Sequence, residues 1–213
     1  MRTDDLIDQL ATAPTPVRGG AVQRRFLAAA VAAALAALVL CLGWLHTRDD
    51  LAQAVGGRMF WMKALYTVLL AAAGFLALER LARPEGVPRK ALLFGGVVLA
   101  VFLSLAMAQM MMAEPHERMA MLRGQSWTVC AMHILTLALP GLAITLLVLR
   151  RMAPTRPMLT GFAAGAFAGA VSATVYGLHC GESTMVFVGV WYTLGVLGTG
   201  LLGAIAGRWA LRW

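Results

Sequence analysis

Apolar positions along this chain gather into six long runs separated by short polar stretches. The runs cover about residues 26–45, 59–78, 91–113, 129–149, 158–178 and 186–206. A hydrocarbon layer about 30 Å thick needs roughly 20 apolar helical residues at 1.5 Å each, and every run meets that length. The pattern predicts an all-α fold, an integral membrane bundle of six transmembrane helices. It divides the chain into an aqueous N-terminal segment, residues 1–25, and a six-helix domain, residues 26–213.

Composition agrees with this division. Sixty per cent of the residues are hydrophobic and 13% are charged, about half the charged share of a soluble domain. The formal net charge of +8 does not point to nucleic acid, and no direct nucleic-acid partner is expected. Basic residues gather instead beside one set of span ends. Arg2, Arg18, Arg24, Arg25, Arg80, Arg83, Arg89, Lys90, Arg150, Arg151, Arg156, Arg208 and Arg212 fall on one side. Arg48, Arg58, Arg118 and Arg123 fall on the other, with Lys63 at a helix start placed to snorkel to the boundary. The positive-inside bias then puts both termini in the cytoplasm. Trp44, Trp61, Trp127 and Trp191 mark the outer boundary and Trp209 and Trp213 the inner one, as interfacial indoles do.

A cleaved signal peptide is not expected, because Asp4, Asp5 and Asp8 stand where a basic region belongs and Pro14 and Pro16 precede the first run. The connections at about 46–58, 79–90, 114–128, 150–157 and 179–185 are too short to hold a domain. Function must lie between helices, in a loop-scale site, or in the first 25 residues. No C-x-x-C, nucleotide loop, H-E-x-x-H or carboxylate pair inside a span is present, and no enzyme activity is expected. The N-terminal segment has its own pattern. Thr3 is a good N-cap, and Asp4 and Asp5 suit the positive end of a helix. Leu6, Ile7 and Leu10 share one apolar face, with Asp8 beside it. So short an amphipathic helix is marginal alone in water and suits a segment that folds on a partner. Pro14, Pro16, Gly19 and Gly20 make the following residues a tether.

Gly161, Gly165, Gly169, Ala173 and Gly177 recur every four residues in the fifth run. Gly195, Thr199, Gly203 and Gly207 repeat that spacing in the sixth. Such faces let helices approach closely in lipid, so tight packing of these two spans is expected; a substrate path along the face is the alternative. Pro140 is expected to kink the fourth span. Cys41 reads as a small packing residue within the first.

Candidate chemistry collects on the outer side. Cys130 begins the fourth span, with His133 one turn on, and His179 and Cys180 precede the sixth. Two thiols facing an oxidising compartment form a disulfide or redox pair on one reading. On a second reading Cys130, His133, His179 and Cys180 bind a soft metal ion such as zinc, cadmium or copper; on a third they are unrelated. Met107, Met110, Met111, Met112, Met119 and Met121 lie nearby, as ordinary apolar residues or as thioether ligands for copper.

The motifs "TDDLIDQLA", "SWTVC", "RRMAPTRPMLTG", "LHCGES" and "WYTLGV…LLGAIAGRWALRW" together resemble the NrsF-type negative regulators of sigma factor F, six-span bacterial membrane anti-sigma factors. The resemblance covers essentially the whole chain. One departure is Gly181-Glu182, where the family carries an acidic or proline-containing stretch after the second cysteine. The resemblance implies an inner-membrane anti-sigma factor that holds an extracytoplasmic-function (ECF) sigma factor through its N-terminal segment. Asp4, Asp5, Leu6, Ile7, Asp8 and Leu10 would form the docking face. Cys130 and Cys180, which match the family's motif cysteines, would sense heavy metal or oxidative stress. The competing readings are a small metal-handling membrane protein and a purely structural membrane subunit.

Overall fold

The computed structural model describes Thr3, Asp5, residues 20–83 and residues 86–212. Thr3 and Asp5 are exposed; Asp4, Leu6, Ile7, Asp8 and Leu10 lie outside the described residues. All regular elements among those residues are helices. α1 is Ala21–Leu40, prolonged by a π-helical turn at Cys41–Leu45. α2 is Leu51–Gly56, α3 Arg58–Leu81, α4 Arg89–Met112 and α5 Pro115–Arg123. α6 is Trp127–Arg150 and runs through Pro140. α7 is Pro157–Tyr176, and α8 is Met185–Ala210, interrupted by a π-helical turn at Val188–Tyr192. Six of these stretches are long and apolar enough to cross a membrane.

The expected external connections around residues 46–58 and 114–128 are not plain loops, because each holds a short helix. α5 forms because Pro115 opens it at a position where the missing N–H costs nothing, Glu117 stands in its first turn and Arg123 in its last. Polar spacing this local does not register in a search for 20-residue apolar runs.

Helix α7 is the hub. It packs most extensively on α8, then on α3, α6 and α1. Gly161, Gly165, Gly203 and Gly207 explain the closeness. A Cβ on Gly161 would collide with the Gly203 carbonyl, one on Gly165 with the Thr199 carbonyl, and one on Gly203 with the Gly161 carbonyl. The expected tight packing of the last two spans is what the structure shows. A second small contact joins α1 to α6, where a Cβ on Gly141 would lie 3.0 Å from the Ala33 Cβ.

The buried side chains form two layers. One lies toward the chain-terminal end of the bundle, around Phe26, Leu78, Leu142, Leu149 and Phe167. The other lies toward the end carrying residues 46–57, 113–126 and 177–184, and it contains all three cysteines with Tyr66, Tyr176 and Tyr192. Large apolar residues elsewhere face outward, including the α1 stripe Leu27, Val31, Leu35 and Val39. An apolar surface of that extent belongs against lipid.

Candidate functional site

The three-loop end is pinned together by polar contacts from distant parts of the chain. At its centre is the segment Gly177–Thr184, which links α7 to α8. Lys63, from the first turns of α3, is only 3% exposed. Its Nζ donates to the carbonyls of Cys180 at 3.0 Å and Glu182 at 2.8 Å. This corrects the expectation that Lys63 snorkels to the boundary. A buried ammonium must replace its water with other acceptors, and the bend at Cys180–Glu182 supplies two.

Glu182 extends the clamp to α6. Its Oε1 accepts hydrogen bonds from the backbone N–H groups of Gln125 at 2.7 Å and Ser126 at 3.0 Å, and from the Ser126 hydroxyl at 3.1 Å. These N–H groups stand just ahead of α6, where the helix dipole favours a negative charge. Gly124 makes room for the carboxylate: its φ is +53°, and a Cβ there would meet Glu182 Oε2 at 2.5 Å. Glu182 thus ties the segment before α8 to the turn that leads into α6.

Further contacts close the ring. The Arg48 N–H donates to the Leu178 carbonyl at 3.1 Å, and its guanidinium reaches the Cys180 carbonyl at 3.4 Å while forking onto Asp50. The Thr184 hydroxyl donates to the Met121 carbonyl, the Trp191 indole to the Leu122 carbonyl, and the Met185 N–H to Gln109 Oε1. Trp127 packs against Trp191 with ring centres 5.5 Å apart and planes inclined by 51°.

Inside this ring lie Cys130, fully buried, and Cys180, 2% exposed. Their thiols meet in a hydrogen bond, with Cys130 donating. The Tyr176 hydroxyl adjoins Cys130. Tyr192, on the π-helical turn, has no oxygen or nitrogen partner for its hydroxyl, which faces the Cys180 sulfur. The hydrogen bond from Cys130 holds the Cys180 thiol well below the ordinary thiol range. The Tyr192 hydroxyl, the Lys63 charge and the backbone at Glu182 assist, against the opposing effect of burial. The thiolate form of Cys180 is therefore favoured relative to an ordinary thiol and is lost on acidification. Its alkylation by a small neutral reagent should stay fast at pH 7 and fall below it, whereas an ordinary thiol slows below about pH 8.5. Mass-spectrometric alkylation rates from pH 5 to 9 test this, and Cys130→Ala should move the midpoint upward.

The histidines form a separate group. His133 and His179 have ring centres 6.3 Å apart, with Tyr176 beside both and Trp44 on His133. His179 Nδ1 is 3.0 Å from the His46 carbonyl, and His133 Nδ1 is buried without a partner. Among the described residues no three His, Cys, Asp or Glu side chains converge as a metal-binding group. The sequence-predicted set is thus two neighbouring pairs, Cys130 with Cys180 and His133 with His179. The methionines are divided too: Met110 and Met121 pack on the buried layer, while Met107, Met111, Met112 and Met119 face outward. Cys41 is fully buried, with its Sγ 3.9 Å from the Val175 carbonyl, as its packing role requires.

The sequence profile of NrsF, described as a negative regulator of sigma F, matches residues 10–213. The chain belongs to the NrsF family. It is 50% identical to the anti-sigma-F factor NrsF of Caulobacter vibrioides, and the match covers all of both chains. It is 38% identical to the probable anti-sigma-F factor NrsF of Azospira oryzae, again over the full length of both. No solved structure matches. NrsF proteins are regulators, which is not an enzyme class, and the six apolar helices make this member a membrane protein.

Sequence reasoning named Lys63 but placed it at the boundary, noted Glu182 only as a departure from the family pattern, and passed over Tyr192. A lysine flanked by apolar residues within a span is the signal that singles out the first, and it does not by itself say whether the ammonium is buried.

Proposed function

We propose that this chain is an anti-sigma factor of the bacterial inner membrane, both termini cytoplasmic, that sequesters an ECF sigma factor and releases it when Cys130 and Cys180 react. The observation that carries the reading is the meeting of these two cysteines at one buried point, in a full-length relative of anti-sigma-F factors. Residues 1–25 supply the partner-binding segment. Leu6, Ile7 and Leu10 enter an apolar groove of the sigma factor, and Asp4, Asp5 and Asp8 meet its basic residues, a helix-in-groove mode. The bundle, residues 26–213, is the anchor and receiver.

Two signal chemistries suit the pair. A soft metal ion of the zinc, cadmium or copper class would bind both sulfurs and displace the proton that Cys130 holds. A peroxide would be attacked by the Cys180 thiolate, giving a sulfenic acid that Cys130 condenses with, losing water and leaving a disulfide. Either outcome resets the distance between the first turn of α6 and the clamped segment before α8. Helix α6 packs along α1, and α1 continues from the N-terminal segment, so a continuous path of packed helices runs from sulfur to handle.

Deleting residues 2–13 should free the sigma factor completely while the bundle remains inserted. Cys130→Ser and Cys180→Ser should each leave sequestration intact and abolish release by metal or oxidant. A reporter gene driven by the sigma factor, beside membrane-fraction blots, checks both. Full repression by the deletion would refute the docking face; normal induction in both serine variants would refute the sensing pair.

A further inference from the structure

Helix α4 packs on α3 and on the first turns of α8 but makes no substantial contact with α7. Toward the chain-terminal end this leaves a cleft between α4 and the α3–α7–α8 core. Its inner part is an apolar cavity of about 290 Å³, walled by Gly74 and Ala77 of α3, Gly95 and Gly96 of α4, and Phe162 and Ala163 of α7. Along α4 it runs from Ala91 to Leu99, about 12 Å at 1.5 Å per residue. A shallower groove continues from it past Leu92 and Leu159 to Arg89 and Arg156. Neither guanidinium group is hydrogen-bonded or ion-paired to a described residue, and Glu79, the acidic residue nearest in sequence to this mouth among those described, is paired with Arg83.

We propose that this cleft binds one anionic phospholipid, its phosphate between Arg89 and Arg156 and the upper part of one acyl chain in the cavity. The occupant follows from the two parts together. A slot lined almost wholly by carbon, opening sideways at a depth where the surrounding helices are apolar, suits a hydrocarbon chain. Two guanidinium groups at its mouth, without an ion-pair partner among the described residues, suit a phosphate, which arginine holds through two parallel N–H donors. Neutral headgroups that carry their own ammonium ion would place a like charge beside the arginines. Gly96 is the key position: a Cβ there meets nothing within 4 Å, so a larger side chain can fill the slot without displacing a helix.

Native mass spectrometry of the full chain in detergent, with phosphatidylglycerol or phosphatidylcholine of identical chains added, tests the proposal. One molecule of phosphatidylglycerol should be retained in preference to phosphatidylcholine. Arg89→Gln and Arg156→Gln should each cut that preference about fivefold, the equivalent of about 1 kcal/mol per basic residue near a lipid surface. Gly96→Phe should abolish retention of the bound lipid while the thermal transition of the protein stays in place. Equal retention of the two lipids would overturn the proposal, as would an unchanged preference in the Arg89→Gln/Arg156→Gln double variant. So would binding of glycerol 3-phosphate in place of the lipid, or a dimer that Gly96→Phe disrupts, because another occupant would then hold the cleft.

Discussion

Gly165→Leu should yield a chain that still inserts but no longer packs α7 on α8. The Cβ at this position would fall on the Thr199 carbonyl and lie 2.9 Å from the Gly200 Cα. Both are backbone atoms, so no rotamer change relieves the overlap and the helices must separate. Overpacking a well-filled core usually costs about 1–3 kcal/mol, and a backbone collision at the hub of the bundle belongs at the upper end or beyond. The thermal unfolding midpoint in detergent should drop by many degrees, and both cysteines should become open to alkylation. Gly96→Ala is the control, since it enters open space and should match or exceed the parent. An unchanged midpoint for Gly165→Leu would mean that α7 and α8 are not in contact.

Lys63→Met should have the largest effect on the cysteine site. Methionine keeps the length and most of the volume of the side chain but removes a buried cation and its donors. The Cys180 and Glu182 carbonyls would then lose partners at 3.0 and 2.8 Å, at a cost of about 1–3 kcal/mol for buried groups left unpaired. The segment between α7 and α8 should loosen, and the Cys180 thiol should rise toward its ordinary range because a nearby positive charge has gone. Two readouts move in opposite directions. Access of a bulky maleimide to Cys180 should increase by tenfold or more, while its alkylation by a small reagent at pH 6 should slow. Glu182→Gln should share the first effect and leave the second smaller, because its carboxylate holds the turn at Gln125 and Ser126. If neither rate changes in Lys63→Met, the clamp does not hold the segment.

How much of this was legible beforehand differs by element. The six spans are written in the hydrophobic runs because a bilayer demands length, and length shows in a linear sequence. The glycines of α7 and α8 were legible for a related reason: their four-residue spacing is the helical repeat itself, and small faces that fit each other carry their own signal. Cys130 and Cys180 were legible as two thiols on one side of the bundle, and only the family resemblance preferred them as a pair, since 50 residues and a whole helix pair separate them. Lys63 was misread because its charge and its place near a span end suit snorkelling as well as burial. Only the carbonyls turned toward it from residues 180 and 182 decide between the two.

The sequence by itself therefore determined the class of molecule, a bundle of six helices long and apolar enough to cross a membrane, with a close-packed last helix pair. Those properties depend on hydropathy, spacing and charge within one segment at a time. The tertiary structure alone decided that Glu182 holds the turn ahead of α6 and that a thiol pair sits between Lys63 and two tyrosines. It also decided that α4 stands away from α7 to leave a cleft. These depend on where backbone carbonyls, N–H groups and empty space fall between helices distant in sequence, and every residue has a backbone that looks alike until the fold places it.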